Sequence, residues 1–134
     1  MKSNTRQAVE ERREARLGAL NAELDRLVDL LRARPEVIRV VLFGSLAAGR
    51  VGARSDLDLA VVARSREDFL ARYQEYYCYL QPEVPLDLFV YTPDEWQDML
   101  GRSRLVQRMA REGRILYETE VAGAEDRFET VAPA

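Results

Sequence analysis

Three aspartates in this sequence stand where an acid is costly. Asp56 and Asp58 open the stretch DLDLAVVA, and Asp87 interrupts the apolar run LDLFVY. Side chains two apart share one face of a β-strand. Asp56 and Asp58 would then lie side by side, with Leu57 and Leu59 turned toward a core on the other face. Two carboxylates on one face repel each other unless a cation neutralises them. If the strand bearing Asp87 lies beside the first, a third carboxylate joins them. Three converging oxygens suit one or two Mg²⁺ or Mn²⁺ ions that also hold substrate phosphates. Such ions orient a nucleotide and stabilise a leaving oxygen, and a carboxylate can take the proton of the attacking group. Each acid also has an ordinary explanation. Asp56 could cap a turn after Ser55, Asp58 could face water at an edge, and Asp87 could pair with one of the many arginines.

Composition narrows the chemistry further. The chain has no histidine and one cysteine, Cys78, so Ser-His-Asp and Cys-His catalysis and the usual zinc sites are excluded. Any metal must be held by oxygen. Cys78 lies in a run of tyrosines and reads as a buried small hydrophobe. A net charge of −3 argues against a surface that binds nucleic acid directly. No apolar run approaches the ~18 residues of a membrane span. The N-terminal stretch MKSNTRQAVEERREAR lacks the apolar core of a signal peptide, which points to the cytoplasm.

The elements that must position these residues follow from local patterns. Residues 6–33 read as a long helix, with Leu17, Leu20, Leu24, Leu27 and Leu31 on one stripe. Its charged first half suggests a partner or dimer contact as an alternative to core packing. VIRVVLF (37–43), DLDLAVVA (56–63) and LDLFVY (86–91) read as strands, and 65–80 as a helix with an aromatic stripe of Phe69, Tyr73, Tyr76 and Tyr77. Tyr79 falls off that stripe. Thr92-Pro93-Asp94-Glu95 is a capping box opening a helix to about Leu100. Residues 103–111 form another helix, on which Arg102, Arg104, Arg108 and Arg111 make a basic face suited to an acidic partner, a triphosphate or solvent. Residues 114–117 read as a last edge strand. The whole implies an α/β (α+β) fold: a small mixed sheet of three or four strands, helices packed on one face and a long N-terminal helix. With 134 residues, one domain is expected over 1–118, made of a helix (1–34) and a core (35–118), followed by a flexible tail over 119–134.

Gly44-Ser45 ends the first strand. Glycine lets a backbone approach a phosphate closely, and a short helix begun there would present N–H groups and a hydroxyl to an anion, though a plain helix cap explains the pair equally well. The spacing Gly44-Ser45, ten residues, Asp56-Leu57-Asp58 resembles the G-S-x10-D-x-D signature of the polymerase-β-like nucleotidyltransferases. Asp87 on its own strand and the phrase EGRILYE resemble the minimal nucleotidyltransferase group of that superfamily, over roughly residues 35–118. The resemblance implies the polymerase-β-like nucleotidyltransferase fold. Gly44 and Ser45 would hold the phosphates of ATP, Asp56 and Asp58 would bind Mg²⁺ or Mn²⁺, and Asp87 would be the third ligand and candidate base. Members of that group are commonly antitoxins that transfer AMP to a tyrosine of a HEPN-domain ribonuclease toxin. A contact-only binding module and a small-molecule nucleotidyltransferase are the alternatives. The chain departs from the group at Ala48, where an arginine is frequent. Arg50 or Arg54 could supply a guanidinium instead, and Gly49 and Gly52 are retained in the loop.

Overall fold

A computed structural model of the chain describes residues 2–50 and 56–119. Helix α1 (Lys2–Arg32) leads into strand β1 (Val37–Phe43), a single turn α2 (Gly44–Ala47) and strand β2 (Leu57–Ala63). Helix α3 (Phe69–Leu80), strand β3 (Leu86–Tyr91), helices α4 (Pro93–Leu100) and α5 (Arg104–Glu112), and strand β4 (Arg114–Glu118) complete the order. The four strands form one mixed sheet in the order β3-β2-β1-β4. β1 is antiparallel to both of its neighbours, whereas β2 and β3 are parallel. A parallel pair needs a crossover, and α3 supplies it. The mixed sheet, its four strands and the long first helix are those expected from the sequence.

Helices on one face were expected, but the sheet is covered on both. Leu57, Leu59, Val61 and Ala63 of β2 pack with Leu20, Leu24, Leu27 and Leu31 of α1 and with Tyr76 and Leu80 of α3. Ala60 and Val62, pointing the other way, pack with Trp96 of α4 and with Val106 and Met109 of α5. The sequence carries this signal in a form that is easily overlooked. After Asp58 the strand is apolar at every position, as strands buried on both faces are. Each leucine sealed in the first layer contributes about 2 kcal/mol of burial.

The α1 stripe serves the core only from Leu20 onward. Leu17 is 38% exposed, and the helix before it is largely in contact with solvent. On α3, Asp68 caps the first turn by accepting from the Ala71 N–H at 2.8 Å. Tyr76 is buried, and Tyr79 lies at the surface with its hydroxyl donating to the Leu30 carbonyl at 2.7 Å. Cys78, expected to be buried, is exposed. It stands two residues from Tyr76, about 200° round the helix, so burying one exposes the other.

Arg72 was not anticipated as a core residue, yet it is fully buried. It donates to both carboxylate oxygens of Glu95, at 2.7 and 2.8 Å. The same Glu95 closes the capping box by accepting from the Thr92 N–H at 3.0 Å, while Thr92 accepts from the Glu95 N–H at 3.2 Å. One carboxylate thus ties α3, on one side of the sheet, to the start of α4 on the other. No helix among the described residues is long and apolar enough to cross a membrane.

Candidate active site

The sheet gathers the chemistry at one end. Phe43, the last residue of β1, pairs with Asp58 of β2, and Asp58 pairs with Asp87 of β3. Asp58 and Asp87 therefore stand on adjacent strands and point to the same face, the one covered by α4 and α5. The neighbouring strands that Asp87 required are present. Leu57 and Leu59 turn the other way and are sealed in the core.

Gly44 follows Phe43 directly. Its φ is +79°, a conformation that favours glycine, and any Cβ there would land on the Asp58 carboxylate, with Cγ only 2.8 Å away. Glycine is thus needed twice, for the backbone turn and for the close approach of the acid. Ser45 is half-buried in the short α2 turn, whose Ala48 and Gly49 N–H groups return to the Gly44 and Leu46 carbonyls at 3.1 Å.

Burial is the main cause that pushes the Asp58 carboxyl up to about 6. The carboxyl of Asp87 within hydrogen-bonding reach and the charges of Asp87 and Asp56 add to it. Among the described residues no ion pair joins an arginine to Asp58 or Asp87. Two adjoining carboxylate oxygen donors are the right chemistry for a hard divalent ion. Mg²⁺ in particular takes one or two carboxylates and completes its shell with phosphates and water.

Asp56 is placed differently. β2 begins at Leu57, so Asp56 lies just outside the strand and is exposed. Its charge reaches Asp58, but it does not close a ready-made trio. Among the described residues no group of three or more His, Cys, Asp or Glu side chains could hold a metal ion as it stands. The two-residue repeat that would align Asp56 with Asp58 applies only within regular strand.

Beside Gly44 and Ser45 lies a cavity of about 270 Å³ that none of the three aspartates lines. Gly44, Ser45 and Ala48 line it from one side, and Arg108, Met109 and Glu112 from α5, with Arg50 also at its wall. Of the four arginines on the expected basic face, Arg108 alone lines this cavity. Arg102 donates to Asp98 instead, at 2.9 Å. The sequence held a signal for this: positions 105, 108, 109 and 112 share one helical face. Gly52 and Arg54 lie outside the described residues.

A glycine-serine turn abutting paired carboxylates at one end of a mixed sheet, with a cavity lined by Arg50, Arg108 and Glu112 alongside, is the feature that the family comparison addresses. The chain belongs to the polymerase beta nucleotidyltransferase family, whose pattern matches residues 25–122. A search of curated proteins gives no significant match. Among solved structures, a candidate nucleotidyltransferase from Sulfolobus solfataricus is 17% identical, with a TM-score of 0.53 over 84% of this chain and 88% of that one. That likeness shows a shared fold. A toxin-antitoxin structure with AMP-PNP is 24% identical at a TM-score of 0.49, covering 81% of each chain. A tri-AMPylated HEPN toxin of Shewanella oneidensis in complex with its MNT antitoxin is 20% identical at 0.46, covering 84% of each.

Proposed function

We propose that this chain is a metal-dependent nucleotidyltransferase that moves AMP from ATP to a tyrosine hydroxyl of a HEPN-domain toxin, and so acts as its antitoxin. The observation that carries the reaction class is the Asp58–Asp87 pair abutting Gly44-Ser45 at one end of the sheet. The acceptor rests on the resemblance of residues 35–118 to the minimal nucleotidyltransferases.

In this reading the acceptor oxygen attacks the α-phosphorus of ATP. A phosphorus–oxygen bond forms, the α–β anhydride bond breaks, and pyrophosphate leaves. Asp58 and Asp87, joined by Asp56, would hold Mg²⁺ or Mn²⁺. The bound ion supplies charge neutralisation at the phosphates and the leaving oxygen. Asp87, on the outer strand and exposed, would take the acceptor's proton. Ser45 and the backbone of Gly44 orient the phosphates.

A second reading is favoured by two observations, Asp56 standing outside the pair and Ala48 lining the cavity without a charge. Under it the fold neutralises its partner by contact alone. Incubation with α-labelled ATP, Mg²⁺ and the toxin separates the two. Label on a toxin tyrosine, lost in Asp58→Asn, supports the enzyme. Inhibition of the toxin without any label would replace it with the contact reading.

A further inference from the structure

We infer that Arg108 of α5 is a triphosphate-binding residue, and that Glu112 is a built-in competitor which holds it when nucleotide is absent. This rests on the nucleotidyl-transfer reading above and adds residues to it. An acidic site must admit a highly charged anion past Asp58 and Asp87, so cations near the entry decide affinity. Arg108 and Arg50 are the guanidiniums lining the cavity that opens beside Gly44 and Ser45. A Cβ on Gly44 would collide with the Asp58 carboxylate, so this cavity adjoins the carboxylate end of the sheet. Ala48 contributes no charge from the α2 turn, so Arg50 after that turn and Arg108 across the gap on α5 are the cations this cavity offers.

Arg108 is already engaged. Its Nε donates to the Glu112 carboxylate at 3.3 Å, one helical turn on, and both side chains are well exposed. An exposed pair four residues apart is weak and screened by salt. Guanidinium bonds to phosphate are charge-assisted and often bidentate, and are the stronger of the two. Nucleotide entry would therefore draw Arg108 off Glu112 and leave Glu112 repelling the phosphates. The two side chains touch each other, yet they should act on nucleotide in opposite directions.

The test is calorimetric titration of the full-length chain with ATP and Mg²⁺, and separately with adenosine. Arg108→Ala should weaken ATP binding by about tenfold or more, with Arg108→Lys recovering part of the loss. Glu112→Gln should tighten it by roughly threefold. Adenosine binding should be unmoved in all three. The inference is overturned if both alanine and glutamine variants weaken ATP binding alike, as a merely structural ion pair would, or if neither changes it. Tight, Arg108-dependent ATP binding without AMP transfer would sink the enzyme reading and leave this one standing. Transfer with a KM indifferent to both residues would do the reverse.

Discussion

The Asp58 carboxyl is half-buried against Asp87, so ionising it in the metal-free protein works against folding. Its value in the fold, about 6, lies above the ordinary 3.8. Between these values the folded chain holds a proton that the unfolded chain releases. The group's stabilisation is therefore complete below about 3.8 and is lost as pH rises through about 6. Asp58→Asn should raise unfolding free energy at pH 7.5 by about 1 kcal/mol, after discounting for solvent screening, and abolish AMP transfer. Urea denaturation at pH 7.5 and pH 4.5 checks the first part: the gain should shrink at the lower pH. A destabilised variant at pH 7.5 would instead assign Asp58 a structural bond. Gly44→Ala forces a side chain into the left-handed turn and onto Asp58. It should cost about 2 kcal/mol and abolish transfer even where the protein still folds, since the acid is displaced.

At the scale of elements, the Arg72–Glu95 pair joins helices on opposite sides of the sheet. Its two halves are unequal: the Arg72 side chain is 1% exposed and that of Glu95 39%. Removing Glu95 strands a buried charge and opens the α4 cap, whereas Arg72→Met leaves a partly solvated acid and keeps an apolar body in place. Glu95→Ala should cost about 3 kcal/mol and Arg72→Met clearly less, as read from urea midpoints. Equal losses would show that desolvation is not the deciding cost. Elements set by local chemistry were legible in the sequence. LDLFVY is β3 to the residue, and the Thr92 capping box opens α4 as expected. What depends on the layer lying opposite was not. The inward Arg72 follows from where Glu95 of α4 lies and the outward Cys78 from which face of α3 buries Tyr76, while the second helical layer was signalled only by the unbroken apolar run of β2. The carboxylate site divides the same way. Asp87 could join Asp58 only if their strands were neighbours, which the sheet order supplies and the sequence left open, while the position of Asp56 turns on a strand boundary.

At the scale of the molecule, α1 is in two parts. From Leu20 to Leu31 it is core, and before Leu17 it is largely exposed. Deleting residues 2–16 should leave the melting temperature within about 3 °C, because little apolar area is lost. If this half is the docking surface for the toxin or for a second copy, as its charge suggests, the same deletion should abolish that association in size-exclusion chromatography. Unchanged association would place the contact elsewhere.

The register of β1 has a consequence for how the chain is made. β1 lies between β2 and β4, and its partner in β4 is residues 114–118. During translation Val37–Phe43 emerge about seventy residues before the strand that covers their second edge. An open apolar edge is a template for pairing with other nascent chains. The protein should thus depend on a holding chaperone at the ribosome until β4 emerges. Ribosome-bound chains stalled before residue 114 should remain protease-sensitive in β1, and those stalled well after residue 118 should be protected.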